Sequence, residues 1–202
     1  GQIRDSYPDR PIKLYGPGTA SGTYDYFTEA IVGEAEASRS DFTASEDDNV
    51  LVQGITGTET ALGYFGLAYY ENNADKLKAL SIDPDERDGG ASCVTPGAET
   101  VKNGRYRPLS RPLFIYVNPA KITPTVEKFV TFYLQNADEL ASDVGYVAMP
   151  DDAYELALQR FQDRTSGTVF GAEGVDATGT QVEEMLREAA EGTAPSDTVA
   201  AE

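Results

Sequence analysis

Short apolar runs alternate along this chain with stretches whose apolar residues recur at helical spacing. The first run, 12–15, meets a loop rich in glycine, serine and threonine over 16–23, and a helix is predicted behind it. Thr19 or Ser21 is placed to cap that helix, and Gly33 to end it. The pattern therefore predicts a strand, a Gly-rich loop and a helix over 12–33.

The alternation continues to residue 161. It predicts a loop over 34–48, a helix capped within 47–49, a turn over 54–60, and a buried strand entering a helical turn over 61–70. It next predicts a short helix over 72–77, a strand over 79–82, a charged loop over 84–90, an extended stretch over 94–101 and a buried strand over 113–117. An amphipathic helix over 124–134, an extended piece over 145–150 and a helix over 151–161, capped by Asp151 or Asp152, follow. Strands that alternate with helices predict an α/β architecture with a mainly parallel sheet.

The character of the chain changes after residue 162, where glycine, threonine, alanine and acidic residues dominate. Such a composition buries little apolar surface, so we expect a largely disordered acidic tail over 163–202. Within it, 181–191 could form a lone helix.

Charge narrows the classes of partner. Of 202 residues, 34 are acidic and 16 basic, for a formal net charge of −18. This excludes general nucleic-acid binding, which needs a basic face, and argues against anionic membrane surfaces. No apolar run is long enough to span a bilayer. The chain opens at Gly1 rather than Met, so we expect a processed or truncated product, and the lack of a signal peptide does not place it in the cytoplasm.

The residue types that the sequence lacks exclude several kinds of catalytic and metal site. There is no histidine, and Cys93 is the single cysteine. This removes Ser-His-Asp and Cys-His catalysis, an intramolecular disulfide and the commonest metal ligand. We therefore expect no cofactor and no metal.

The Gly-rich loop is the strongest candidate site. A strand, loop and helix of this kind aim backbone N–H groups and the positive end of a helix dipole at one point, which favours a small anion. Gly22 allows close approach of a ligand, and Ser21 and Thr23 add hydroxyl donors. No Lys follows Gly22, and the loop matches neither of two nucleotide-binding patterns, Gly-x-x-x-x-Gly-Lys-Ser/Thr and Gly-x-Gly-x-x-Gly. A small oxyanion therefore fits this loop better than a triphosphate. From loop chemistry alone, a plain turn with a capped helix behind it is an equal alternative.

One cation and a group of acidic residues follow that loop. Arg39 is the only basic residue between Lys13 and Lys76. A lone Arg in an acidic loop is usually a surface charge, and its isolation also makes it a candidate for a bidentate contact to an oxyanion. The acidic residues at 47 and 48 are explained first by the dipole of the helix that follows, and a contact of Asp48 or Asn49 with the ligand is the second interpretation.

Several motifs stand in a fixed order along 11–161. They are Pro-Ile-Lys-Leu-Tyr-Gly-Pro-Gly at 11–18 with Ser-Gly-Thr at 21–23, Asp-Asp-Asn-Val-Leu-Val at 47–52, Ala-Leu-Gly-Tyr-Phe-Gly at 61–66, Tyr-Arg-Pro-Leu-Ser-Arg-Pro at 106–112 and Gly-Tyr-Val at 145–147. As an ordered set they resemble the second lobe of the phosphate-binding proteins that serve high-affinity phosphate ABC transporters. The resemblance implies a type II periplasmic binding protein, with two α/β lobes and phosphate in the cleft between them.

The resemblance also implies a set of ligand contacts. The family often places an Arg a few residues before its Ser-Gly-Thr, but Gly16, Pro17 and Gly18 stand there in this chain. Arg39 is therefore the predicted replacement for that cation. The full set predicted to bind phosphate is Ala20, Ser21, Gly22, Thr23, Arg39 and Asn49.

The same likeness sets the expected domains. Nothing before Ile12 could supply the family's first lobe, so an incomplete two-lobe protein is expected: a fragment, a cut or swapped chain, or a shortened gene product. The second lobe would occupy 1–104, the C-terminal return toward the first lobe 105–162, and the acidic tail 163–202. Arg105 and Arg107 are predicted at the surface or between lobes, and Arg111 paired with an acidic residue near the cleft.

The function that the resemblance implies is a non-enzymatic solute-binding protein that captures inorganic phosphate for an ABC transporter permease. Its place would be the periplasm or the cell exterior, with any membrane anchor in a segment outside this chain. A phosphate-sensing or other oxyanion-binding module on the same fold is the alternative, and a phosphohydrolase ranks lower.

Selectivity is expected to be poor in this chain by itself. The family's proton-accepting Asp lies in the lobe that is missing, and the sequence offers only Asp47 and Asp48 as substitutes. We therefore expect weak binding of any tetrahedral oxyanion at 21–23, with little discrimination.

Overall fold

The computed structural model describes residues 4–84, 92–169 and 180–191. Contacts within the chain divide it into two compact units, Gly1–Ala79 and Leu80–Glu202. The first unit carries the candidate anion-binding loop, and the second is mainly helical.

A three-stranded parallel sheet is the centre of the first unit. The strands are β1 (Lys13–Pro17), β2 (Thr43–Ser45) and β3 (Ala61–Gly63), in the order β2–β1–β3. In this register Tyr15 lies opposite Thr43 on one side and Gly63 on the other. Parallel strands need long crossover connections, which here contain α1 (Gly22–Val32) and α2 (Asp48–Thr56), and α3 (Leu67–Glu71) follows β3.

Side-chain caps fix where the two crossover helices begin. Ser21 caps α1 by accepting the N–H of Thr23, and Gly33 ends that helix in a left-handed conformation with φ of 83°. Asp47 caps α2 by accepting the N–H of Asn49 at 2.9 Å. Of the two predicted caps for α1, the structure therefore uses Ser21.

The core of the first unit lies where α2 packs on the sheet. Leu51 is fully buried, and α2 contacts β1 and β3 as well as β2. Gly54 permits this closeness, because a Cβ there would lie 2.3 Å from the ring of Tyr15, nearer than real Cβ atoms come. The helix is thus held at a distance that only glycine allows at that point.

Hydrogen bonds join α1 to the loop that follows it, and aromatic stacking joins α1 to the residue after β3. Buried Tyr24 donates its hydroxyl to the Glu36 carbonyl at 3.0 Å, and the Glu36 N–H donates to Thr28 Oγ1 at 2.7 Å. Phe27 stacks on Tyr64, with ring centroids 3.8 Å apart. These contacts hold the start of α1 above the ends of the strands.

The second unit consists mainly of helices. They are α4 (Ala98–Lys102), α5 (Pro124–Gln135), α6 (Ala137–Asp143), α7 (Asp151–Gln162) and α8 (Thr180–Ala190), with a 3₁₀ turn at Pro119–Lys121 and one antiparallel bridge from Ile82 to Val94. α7 packs against both α5 and α8. Val130, Ala153 and Val182 are buried in this unit, and Arg187 of α8 pairs with Asp152 of α7 at 2.9 Å.

Most of the predicted elements are present. The structure confirms the strands near 12–15 and 61–63 and the helices that follow the loops at 16–23 and 47–49. The strand at 61–63 is not buried as predicted, since Leu62 at the edge of the sheet is 43% exposed. It also confirms the helices predicted over 124–134, 151–161 and 181–191. The last of these does not stand alone, because α8 packs on α7. The tail residues 170–179 and 192–202, and 85–90 of the predicted charged loop, lie outside the described residues.

Two predictions in the first unit are wrong. The loop predicted over 34–48 contains β2, whose Thr-Ala-Ser sequence has no apolar run and is a strand because it pairs with β1. The helix predicted over 72–77 is replaced by turns, and the Asn73 side chain donates to the Tyr69 carbonyl at 2.9 Å, a local bond that competes with helix formation. The turn predicted over 54–60 starts late, since α2 continues to Thr56.

Four predictions in the second unit also need correction. The stretch 113–117 forms no strand, and Leu113 and Tyr116 are 61% and 92% exposed, because an apolar run becomes a strand only where a partner pairs with it. The extended stretch 94–101 turns into α4, and the strand at 79–82 is reduced to the bridge at Ile82. Neither Asp151 nor Asp152 caps α7, whose N-cap is Pro150.

The domain boundaries predicted at 104 and 162 describe lobes of a whole protein and stay predictions.

Along the described ranges, no helix combines the length and the apolar character that crossing a membrane requires.

We expect Leu51→Ala to destabilise the chain by about 2–5 kcal/mol, because it leaves a cavity between α2 and the sheet. Val50→Ala is the matched control, since Val50 is 47% exposed on the same helix and should cost less than about 1 kcal/mol. Denaturant unfolding of the three proteins measures both. Equal losses at the two positions would show that α2 does not pack as described.

Candidate functional site

Three helices begin at one edge of the first unit's sheet. Because β1, β2 and β3 are parallel, their carboxyl ends meet at the same edge, and α1, α2 and α3 start just beyond it. From β1 the chain moves to β2, the neighbour on one side of β1, and then back past β1 to β3, the neighbour on its other side. The direction in which strands are added therefore reverses at β1. Ligands of open α/β sheets bind at such a switch point, outside the strand ends. The loop after β1 lies there.

This loop is tied to its neighbours by backbone hydrogen bonds. The Gly18 N–H donates to the Ser45 carbonyl at the end of β2, at 3.2 Å, and the Ser21 N–H donates to the Gly18 carbonyl at 3.0 Å. Ser21 Oγ accepts the N–H of Thr23 at 3.2 Å. A hydroxyl that accepts one bond can still donate its own proton, so Ser21 is able to cap α1 and bind an anion together. Ser21 is half-buried, and Ala20, Gly22 and Thr23 are exposed.

A carboxylate that the sequence did not single out lies on the loop. The Ala20 N–H donates to Glu46 Oε1 at 3.3 Å. The same carboxylate lies against Gly18, where a Cβ would be 2.1 Å from Oε1. Glu46 comes directly after β2, so its placement depends on the strand that sequence reasoning missed. A strand prediction at 43–45 would have put Glu46 at the same edge as the loop.

The neighbouring acidic residues serve the helix starts. Asp47 Oδ1 accepts both the backbone N–H and the side-chain Nδ2 of Asn49, at 2.9 and 3.0 Å. The bond to the backbone N–H agrees with the predicted cap. The bond to Nδ2 engages the Asn49 side-chain amide, which was predicted to contact the ligand. Burial raises the pKa of the Asp48 carboxyl above its ordinary value of 3.8, while the backbone of Gly66 acts in the opposite direction.

Arg39 lies on the exposed loop between α1 and β2. Its Nε and Nη2 both donate to the carboxylate of Asp41, which raises the pKa of Arg39 and lowers that of Asp41. Both side chains are about two-thirds exposed, at 65% and 66%. The Arg39 guanidinium group is therefore oriented by Asp41 and open to solvent. Its role toward an oxyanion stays a prediction.

Aromatic rings form an apolar border to the loop. Tyr64 follows β3, stacks on Phe27 and lies close to Gly16, where a Cβ would be 3.0 Å from its ring. Burial raises the pKa of Tyr64 to about 12, so its phenol stays neutral under ordinary conditions.

Asp25 Oδ1, in the first turn of α1, is buried without a hydrogen-bond partner.

The remaining predicted cations belong to the second unit. Arg105, Arg107 and Arg111 are exposed, as expected for the first two. The pairing of Arg111 with a carboxylate stays a prediction. Within the part of the chain that the structure describes, no group of three His, Cys, Asp or Glu side chains could hold a metal ion.

Comparison with known proteins gives consistent matches. A family model described as "PBP superfamily domain" matches residues 2–137. Protein SphX of Synechocystis sp. is 52% identical over 86% of this chain and 51% of its own length. The phosphate-binding protein PstS of Staphylococcus haemolyticus is 36% identical over 78% of this chain and 48% of its own. This chain therefore spans about half the length of these curated relatives.

A solved structure matches in fold and in sequence. It is described as the crystal structure of a possible phosphate binding protein from Planctomyces limnophilus, and it is 47% identical to this chain with a TM-score of 0.66. The match covers 82% of this chain and 58% of that one. The expected type II binding-protein fold is thus confirmed for the matched part.

We expect Asp48→Asn to stabilise the chain near neutral pH and to lose this effect in acid. A raised pKa means that the folded chain holds the Asp48 proton more tightly than the unfolded chain, so stability falls as pH rises above 3.8. The amide cannot ionise and avoids that loss. Denaturant unfolding of wild type and variant, near neutrality and well below 3.8, measures the difference, with Asp75→Asn at an exposed position as control. An effect that is equal at both pH values would contradict the assigned burial.

Proposed function

The chain belongs to the PBP superfamily, and on that premise we propose that it captures inorganic phosphate as part of a solute-binding protein for ABC-transporter uptake. The observation that carries the proposal is the loop after β1, which places the Ser21 and Thr23 hydroxyls and the start of α1 at the switch point of the sheet. The relatives named for phosphate binding support the choice of ligand.

The proposed binding set joins the loop to the helix that it caps. Ser21 and Thr23 are the proposed hydroxyl donors, and Ala20 and Gly22 the proposed backbone N–H donors. The Ala20 N–H would leave Glu46 to bind the anion. Gly22 and Thr23 begin α1 and Ser21 is its N-cap, so the set lies at the helix start, where the dipole favours negative charge. Arg39 is proposed as the cation of the set and Asn49 as a further donor, on the loops before β2 and at the start of α2.

A strongly acidic protein can still bind an anion at such a place. The donors act over the length of a hydrogen bond, whereas surface carboxylates are screened over about 10 Å at ordinary salt. The net charge of −18 therefore opposes binding less than its size suggests.

We propose binding and release rather than catalysis. Phosphate held by backbone N–H and hydroxyl groups needs no nucleophile or general base, and the chain has no histidine to act as one. A protein that hands phosphate to a permease works in the periplasm or outside the cell, and we place this one there. A phosphate-sensing module on the same fold is the second candidate, since fold does not separate transport from sensing.

The proposal is tested by titrating this chain with phosphate in a calorimeter, comparing wild type with Arg39→Ala. A charge-assisted hydrogen bond contributes about 1.5–3 kcal/mol, so we expect binding to weaken by about tenfold or more. Arg10→Ala is the control, because Arg10 is also exposed in the first unit and pairs with Glu59 at 2.7 Å. Unchanged affinity in Arg39→Ala would remove Arg39 from the site, and no phosphate binding by wild type would overturn the proposed function.

A further inference from the structure

We propose that Tyr24 positions Arg39 for phosphate, acting through the loop that carries Arg39 and not through the ligand. This loop, residues 34–42 between α1 and β2, is called the Arg39 loop below. The proposal deepens the proposed function and rests on it. It follows from where Tyr24 lies on α1 and from what its hydroxyl and its ring contact.

Tyr24 comes directly after the proposed phosphate donors at 21–23. Its backbone N–H donates to the Ser21 carbonyl at 3.0 Å in the first turn of α1. Its side chain is only 5% exposed, and a buried hydroxyl is normally hydrogen-bonded within the protein. Tyr24 is therefore fixed relative to the start of α1, where phosphate is proposed to bind.

The hydroxyl of Tyr24 holds one end of the Arg39 loop. It donates to the Glu36 carbonyl at 3.0 Å. The Glu36 N–H donates at 2.7 Å to Oγ1 of Thr28, a buried residue one turn further along α1. Glu36 has a φ of 64°, a left-handed conformation that residues other than glycine seldom adopt. Two hydrogen bonds to α1 thus hold this end of the loop in a conformation that Glu36 does not favour by itself.

The ring of Tyr24 holds the other end of the same loop. Phe42, the last residue before β2, stacks on Tyr24 with ring centroids 6.4 Å apart and an angle of 16° between the rings. Arg39 lies midway, three residues from Glu36 and three from Phe42. Its guanidinium group donates to Asp41, which belongs to the loop itself. The place of Arg39 relative to α1 therefore depends on the two loop ends, and one side chain contacts both.

Removing the Tyr24 hydroxyl should release the Glu36 end and let Arg39 sample more positions. A cation that is already in place binds an anion more tightly than a mobile one, because less conformational freedom is lost on binding. Tyr24 thus raises phosphate affinity without a contact to phosphate. Its effect on affinity requires the guanidinium group of Arg39.

A double-mutant cycle of Tyr24→Phe and Arg39→Ala tests this dependence, with sodium phosphate titrated into each protein in a calorimeter at neutral pH. Tyr24→Phe removes only the hydroxyl and should weaken binding about three- to tenfold, the net effect of one hydrogen bond. In the Arg39→Ala background the same change should weaken binding by less than about twofold, because no cation is left to position.

Tyr15→Phe is the matched control. The Tyr15 hydroxyl lies 3.2 Å from Thr58 Oγ1, beyond the end of α2, and its loss should leave phosphate affinity unchanged. Thr28→Val is a second variant, because it removes the acceptor of the Glu36 N–H, and its effect should depend on Arg39 in the same way. Circular dichroism first verifies that each variant keeps the fold of wild type.

The possible outcomes separate this inference from the function on which it rests. Equal losses in the two backgrounds would overturn the role of Tyr24, since it would then support the fold and not Arg39. Unchanged affinity in Tyr24→Phe, or an equal loss in Tyr15→Phe, would also overturn it. If wild type and Arg39→Ala bind phosphate equally well, the inference fails and phosphate capture stands. If wild type binds no phosphate, both fail.

Discussion

Parallel pairing of β1 with both of its neighbours is the constraint on which the rest of the first unit depends. A parallel pair cannot be closed by a tight turn, so each connection must carry a helix back across the sheet. The carboxyl ends of all three strands then lie at one edge, and so do the starts of α1, α2 and α3. The candidate site is a consequence of this topology, because the loop after the central strand lies where the crossovers change direction.

The acidic residues at this edge show how a chain of net charge −18 can still serve an anion. Each of the three consecutive carboxylates engages a different part of the edge: Glu46 the loop after β1, Asp47 its own helix and Asp48 the region of Gly66. The N–H groups at the edge thus attract negative charge even without a ligand. A bound oxyanion would join these carboxylates at the same edge.

Local sequence signals predicted the loop and its helix well, and signals that depend on pairing failed. The roles of Ser21 and Gly33 have a local cause, a side-chain cap and a left-handed helix end. Gly33 was predicted as the end of α1, and Ser21 as one of two possible caps. Strand β2 has no local cause, since Thr43, Ala44 and Ser45 become a strand only through β1. Missing that strand hid Glu46, and the reverse error placed a strand at 113–117, where an apolar run forms none.

The central claim is that an oxyanion binds at the loop after β1, and amide-resolved nuclear magnetic resonance of this chain with and without phosphate tests it most directly. The account predicts that the largest shifts fall on the amides of Ala20, Ser21, Gly22 and Thr23, with a smaller change at Glu46. The amides of Val130 and Val182, buried in the second unit, should stay where they are. Largest shifts in the second unit, or no shift at any phosphate concentration, would contradict the account.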